Sequence, residues 1–187
     1  MSTGNNKPGA MERNEIKFAR EFAMPNSNTF SLGPVARLLA RYVNGGVTVD
    51  PFARNSKVAN VRNDIDPSAE VDYHMDAVEF CDKLLVDGVK AEVVLLDPPY
   101  SPRQMSEAYK NAGRKVGMTE TQNARLYKEV KDRLTQILAP GGIAICCGWN
   151  SMGFGLTRGF KMLEVLMITH GAAHNDTLVT VERKMHD

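Results

Sequence analysis

Val93-Val94-Leu95-Leu96-Asp97-Pro98-Pro99-Tyr100 joins four consecutive apolar residues to an acid, two prolines and an aromatic. The apolar run, preceded by Ala91-Glu92 and stopped by Pro-Pro, predicts a short strand buried on both faces. Such a strand delivers Asp97 to its carboxyl end, the edge of an open α/β sheet at which ligands bind. A plain strand stop would use the same residues, because Pro-Pro ends any ladder and Asp is common in turns. The chemical reading is more specific. A carboxylate and the carbonyl of Pro98 can both accept hydrogen bonds from one exocyclic amino group. Each proline fixes φ and lacks an N–H, which holds that carbonyl in one direction. Tyr100 offers a ring on which a planar base can stack.

Working outward, alternating β and α signals surround this strand. Strands are expected near 47, 59, 71, 91, 143, 162 and 177, with helical stripes between them. Pro34 to Tyr42 carries Val35, Leu38, Leu39 and Tyr42 at helical spacing. Val78, Phe80, Cys81, Leu84 and Leu85 form a second stripe, and Leu126, Val130, Leu134, Ile137 and Leu138 a third, ended by Ala139-Pro140-Gly141-Gly142. The linker from His170 to Asp176 is too short for a helical crossover, so the last two strands should pair antiparallel. Glu15 to Phe22 reads as a short helix or an edge segment. Ser101 to Gln122 reads as a long connection without a strong period, of the kind that forms lids and binding loops.

The chain has 187 residues, 43% of them hydrophobic and 24% charged, with a net charge of +1. These values fit one ordinary globular domain over 15–187 behind a mobile, polar tail at 1–14. No overall basic field announces nucleic acid. Between Ser101 and Arg133, however, eight basic residues face four acidic ones, a local +4 against −3 for the remainder. Arg103, Lys110, Arg114 and Lys115 beside the proline turn suit a phosphate backbone; a solvated helix face would look similar. An odd count of three cysteines, two adjacent in the apolar run Ile143 to Cys147, argues against a disulfide framework and for a reducing cytoplasm. No signal peptide or membrane span is recognisable. His170 and His174, without thiol or carboxylate partners at fixed spacing, do not make a metal site.

Asp97-Pro98-Pro99-Tyr100 resembles the DPPY motif of the S-adenosylmethionine-dependent amino methyltransferases, above all the N6-adenine DNA methyltransferases of bacteria and phage. Asp50-Pro51-Phe52-Ala53 is similar to the family's first cofactor motif, although Arg54 stands where the family usually carries glycine. The resemblance covers about residues 24 to 184. It implies a three-layer, Rossmann-like class I methyltransferase fold whose seven-stranded, mostly parallel sheet has an antiparallel C-terminal strand. It implies S-adenosylmethionine held by Thr29 and Phe30 at the methionine end, by Asp50 to Ala53, by Asp64 (or Asp66) on the ribose, by Asp76 on the adenine amine, and near Asp97. An Asp-Pro turn at 64–67 and a helix cap at Asp76 remain alternative readings of those acids.

The same resemblance assigns Asp97, Pro98, Pro99 and Tyr100 to the transfer itself. DNA is the implied substrate, met by Tyr100, Ser101, Arg103, Lys110, Arg114, Lys115, Trp149 and Asn150. Trp149 suits a pocket wall and a core position equally. No stretch is long enough for a separate target-recognition domain, so either the 101–122 loop and the 148–160 segment read the target, a homodimer or a separate specificity partner does, or sequence selectivity is weak. Two rivals remain: methylation of RNA at guanine N2 or adenine N6, and a non-catalytic nucleic-acid-binding module on a methyltransferase scaffold.

Overall fold

The computed structural model describes residues 15–99, 101–113, 123–171 and 174–186. The expected tail at 1–14, Tyr100, Arg114 and Lys115 lie outside them. In chain order the elements are β1 (Lys17–Phe22), α1 (Gly33–Tyr42), β2 (Thr48–Asp50), β3 (Val61–Arg62), α2 (Ala77–Val86), β4 (Ala91–Leu96), α3 (Pro102–Asn111), α4 (Asn123–Ile137), β5 (Leu138–Gly148), β6 (Phe160–Thr169) and β7 (Thr177–Lys184). The strands form a single sheet in the order β1-β6-β7-β5-β4-β2-β3. All neighbours are parallel except β7, which runs antiparallel to both β5 and β6.

The layers follow from which face each strand buries. On one face α2 and α4 lay Phe80, Leu84, Val130 and Leu134 against Val94, Leu96, Ala144 and Cys146. On the other, α1 lays Val35, Leu38 and Leu39 against Leu95, Ile145, Val179 and Val181. From Val93 to Leu96, past a register shift after Ala91, β4 feeds the two layers alternately, which is why this part reads as an unbroken apolar run. Each fully buried Leu or Phe in these layers contributes roughly 1.5–3 kcal/mol. The expected fold class is borne out: three layers, seven strands and an antiparallel C-terminal pair.

Several elements depart from the sequence reading. Glu15 to Phe22 supplies the edge strand β1, whereas the expected strand at Val71 to His74 shrinks to an isolated bridge between Asn63 and Tyr73. The strand expected from Ala59 to Asn63 narrows to Val61–Arg62. No helix separates Asp50 from Asp64. The chain turns directly, with Phe52 N–H on Oδ1 of Asp50 (3.0 Å) and Ala53 N–H on the carbonyl of Asn63 (2.9 Å). β5 begins at Leu138, so Ala139-Pro140-Gly141-Gly142 lies within the strand and does not form a helix-ending loop. The expected loop from Ser101 contains α3. Its start is fixed by a reciprocal capping box between Ser101 and Gln104, with Pro102 in the first turn. The three cysteines are free and buried.

Candidate functional site

The carboxyl ends of β2, β3 and β4 and the N-terminus of α2 converge on a cavity of about 480 Å³, closed on one side by α3. That volume lies within the roughly 300–1,000 Å³ of small-molecule sites. Its lining includes Thr29, Pro51 and Phe52, Asp64 and Asp66, Asp76, and Asp97 with Pro98 and Pro99. Residues brought together from five sequence regions thus share one space. A shallower hollow of about 520 Å³ among Lys57, Asn60, Arg62 and Glu70 shares no residue with it.

Asn63 holds the convergence together, and nothing in the sequence marked it. The side chain is fully buried. Its Nδ2 donates to the carbonyls of Pro51 (3.1 Å) and Met75 (3.0 Å), and its Oδ1 accepts Met75 N–H (3.0 Å). One amide therefore clamps the turn after β2, the end of β3 and the entry to α2. A buried, saturated amide of this kind can be found only when its three partners are already known.

Each acid at the site has a distinct environment. Asp64 is buried, with Oδ2 accepting Arg54 N–H (2.9 Å) and Oδ1 accepting Asp66 N–H (2.9 Å). Asp66 takes the Ser68 hydroxyl and N–H, which hold its carboxyl below the usual range. Asp76 does cap α2: Oδ1 accepts Val78 N–H (2.8 Å), while Oδ2 accepts the hydroxyl of Tyr109 from α3. Asp97 stands half-buried at the tip of β4. Asp50 is wholly buried behind them. Desolvation, and then the charges of Asp97 and Asp64, push its carboxyl up to about 8 against the pull of Phe52 N–H, and Oδ2 has no hydrogen-bond partner among the described residues.

Arg54 shows what became of the expected glycine. It has the sole positive φ (48°) of any non-glycine described residue, so the turn keeps the left-handed conformation that a glycine would adopt without strain. Its N–H is anchored on Asp64, and Nη1 donates to the carbonyl of Ser27 (3.1 Å) at the cavity wall.

The remaining sequence-derived residues are scattered. Phe30 and Ala53 are buried in packing and are not part of the lining. Ser101 is the N-cap of α3. Arg103 is exposed and paired with Glu107 (2.8 Å), and Lys110 is exposed on the same helix. Arg125 and Lys128 are likewise paired, with acids of the same segment, and Arg133 pairs with Asp82 of α2, the one of these contacts that draws on the local positive excess. Trp149, 51% exposed, and Asn150 lie beyond the end of β5 and outside the lining, so Trp149 is neither core nor wall of this cavity. Tyr127 of α4 went unremarked in the sequence. Its enclosed hydroxyl has no hydrogen-bond partner among the described residues, and burial together with the charges of Cys146 and Asp97 pushes its pKa up. His170 is structural, bonded to the carbonyl of Ala23 (2.7 Å) and the hydroxyl of Thr177 (2.8 Å). No cluster able to hold a metal ion exists among the described residues, and no described helix is long and apolar enough to cross a membrane.

Neither a protein-family model nor a curated protein matches the chain. Solved structures do. SMU.776 in complex with SAH is 11% identical over 80% of this chain and 48% of that one, with a TM-score of 0.59. NSun6 from Pyrococcus horikoshii with SFG is 16% identical over 81% and 51%, at 0.56. The N-methyltransferase NodS from Bradyrhizobium japonicum WM9 with S-adenosyl-l-homocysteine is 13% identical over 85% and 89%, at 0.52. The chain spans about half the length of the first two. At these identities the likeness establishes a shared methyltransferase-type fold.

Proposed function

We propose that this chain transfers a methyl group from S-adenosylmethionine to a nucleobase amine, N6 of adenine in DNA. The observation that carries the proposal is the meeting of Asp97-Pro98-Pro99, at the tip of the central strand, with Asp64 and Asp76 around one cavity. Among the described residues, that cavity is lined by five acidic side chains (Asp64, Asp66, Asp76, Asp97, Glu107) and a single basic one, Arg54. Such a field suits a ligand bearing a sulfonium and an ammonium, and its carboxylates suit hydroxyl and amine donors. The residues fit the cofactor: Asp64 for the ribose hydroxyls, Asp76 for the adenine amine, and Thr29 with Pro51 and Phe52, held by the buried Asp50 and Ala53 of the same turn, for the amino-acid end. S-adenosylhomocysteine bound to structures of the same fold is consistent with this assignment.

When bound, the cofactor supplies a methyl group on sulfur that is electrophilic enough for a neutral amine. The protein's part is to position the amine. Asp97 and the Pro98 carbonyl accept its two hydrogens, which turns the nitrogen lone pair toward the methyl, and Asp97 receives the proton that the methylated amine sheds. Proline rigidity keeps both acceptors fixed, so the rate gain comes from orientation. Tyr100 stacks on the base once it is extruded from the helix. On this reading Ser101, Arg103 and Lys110, with Arg114, Lys115, Trp149 and Asn150, are assigned to the polynucleotide, and a partner or second subunit supplies sequence choice. The test is methyl transfer from tritium-labelled cofactor to unmodified DNA and to ribosomal RNA, with nucleoside mass spectrometry of the product. N6-methyladenine in DNA is expected. Label in RNA alone would move the reading to an RNA enzyme, and failure to bind S-adenosylhomocysteine calorimetrically would end it.

A further inference from the structure

The far end of the sheet from the cavity is open. β1 pairs with β6 and, among the described residues, has no strand on its other side. By the alternation of a parallel ladder, the bond from Ala23 N–H to Thr169 O (3.2 Å) turns the main-chain groups of Glu21 and Ala19 inward. Phe18, Arg20 and Phe22 then present theirs at the free edge. Natural sheets blunt such an edge or use it for pairing.

This edge is not blunted. Phe18 and Phe22 are 64% and 63% exposed and Ile16 52%. Ala19 packs into the α1-side core, so these alternate residues occupy the opposite face, and neither core cluster includes them. The reason is local: β5 returns to β6 through the loop 149–159, which holds a single 3-10 turn (Leu156–Arg158) and no α-helix to extend the α2–α4 layer over β1.

Ile16-Lys17-Phe18-Ala19-Arg20-Glu21-Phe22 is complementary to itself in reverse. We infer that the outer edge of β1 is a dimerisation strand that pairs antiparallel with β1 of a second copy about a two-fold axis at Ala19. In that register Lys17 faces Glu21 of the other copy, Phe18 faces Arg20, and Ile16 faces Phe22, each pair occurring twice. Opposite charges, a cation over an aromatic ring and an apolar pair are all favourable directly across a ladder. The register two residues along, centred on Arg20, sets two arginines against each other and is disfavoured. Phe18 and Arg20 also form the hydrogen-bonded pair, since their main-chain groups point outward. A two-fold axis requires such self-complementarity, whereas a foreign partner would not. Lys17 and Glu21 keep the flexibility to engage: their present partners, Glu164 at 3.9 Å and Arg37, leave both side chains well exposed.

Sedimentation of the full chain over a concentration series, with four proteins compared, tests this inference. The parent should dimerise. Glu21→Lys should raise the dissociation constant roughly tenfold, and Lys17→Glu similarly, since each reverses two symmetric cross-strand pairs. The double swap Lys17→Glu/Glu21→Lys should associate more tightly than either single swap, short of the parent value by what the new like-charge neighbours Glu164 and Arg37 cost within each copy. Unchanged thermal unfolding would show that all four fold alike. A monomeric parent, a dimer indifferent to both single swaps, or a double swap that associates no more tightly than the single swaps would each overturn the inference. So would a monomer whose Phe18 and Arg20 amides are protected from hydrogen exchange, because the edge would then be covered by the chain itself.

Discussion

The hydroxyl of Tyr109, on α3, donates to Oδ2 of Asp76, the residue whose Oδ1 caps α2. One carboxylate thus ties the wall of the cavity to its floor. On the proposed reading, the same oxygen receives the cofactor's adenine amine, so the tyrosine competes with the ligand. Tyr109→Phe removes the competitor and leaves the cap. S-adenosylhomocysteine should bind roughly threefold to tenfold more tightly by calorimetry, the net scale of one ordinary hydrogen bond. Weaker binding would make Tyr109 part of the ligand's own contact set.

Asp97→Ala separates chemistry from binding. Methyl transfer should fall by at least about a hundredfold, the scale seen when one oriented polar group is removed from a reacting centre. The dissociation constant of S-adenosylhomocysteine should change little. Retained transfer of label would remove Asp97 from its role.

Asp50 makes stability depend on pH in a defined direction. Burial pushes its carboxyl up to about 8 in the folded chain, from the ordinary 3.8 of an exposed aspartate. Between those values the folded chain holds a proton that the unfolded chain has lost, so stability falls as pH rises through this window and levels off above about 8. Asp50→Asn carries no such proton and should flatten the slope in urea unfolding at pH 5, 6.5 and 8. A parent slope that survives the substitution would assign the dependence to other groups.

Arg54→Gly relieves the left-handed backbone of a residue with a side chain while keeping the N–H that Asp64 accepts. The gain is of order 1 kcal/mol, offset in part by the flexibility glycine adds to the unfolded chain and by the lost bond to Ser27. A small rise in melting temperature is expected, and a fall of several degrees would show that the guanidinium contact outweighs the strain.

Gly153→Ala should be costly. A Cβ there would fall inside the carboxylate of Glu182, at a backbone φ of +50°. That carboxylate is buried and takes Phe154 N–H (2.5 Å) and Gly155 N–H (2.9 Å), which fixes the loop between β5 and β6. A loss of about 2–4 kcal/mol in denaturant unfolding is expected from displacing a buried, bonded charge. A loss below about 1 kcal/mol would mean that the loop can move aside.

Much of the site was legible because its signals are local. Asp97-Pro98-Pro99 follows an apolar run, Asp64 follows a strand, and Asp76 precedes a helical stripe, so chain order alone puts all three at strand or helix ends on one side of the sheet. The helix α3 was also legible in principle, from Ser101-Pro102 and Gln104, but its weak apolar stripe concealed it. Asn63 and Tyr127 were not legible. An asparagine after a strand and a tyrosine on a helix acquire meaning only from what surrounds them.

By itself, the sequence determined the alternation of strands and helices, the antiparallel C-terminal hairpin and the acid-proline tip of β4. Each of these rests on periodicity, proline geometry or loop length within a few residues. Tertiary structure alone decided that Lys17–Phe22 would pair with a strand nearly 150 residues away, that Val71 to His74 would be left with one bridge, and that Tyr109 would close on Asp76. Those outcomes depend on which edges and donors remain unpaired after the core has packed, a competition among distant groups that no local pattern encodes.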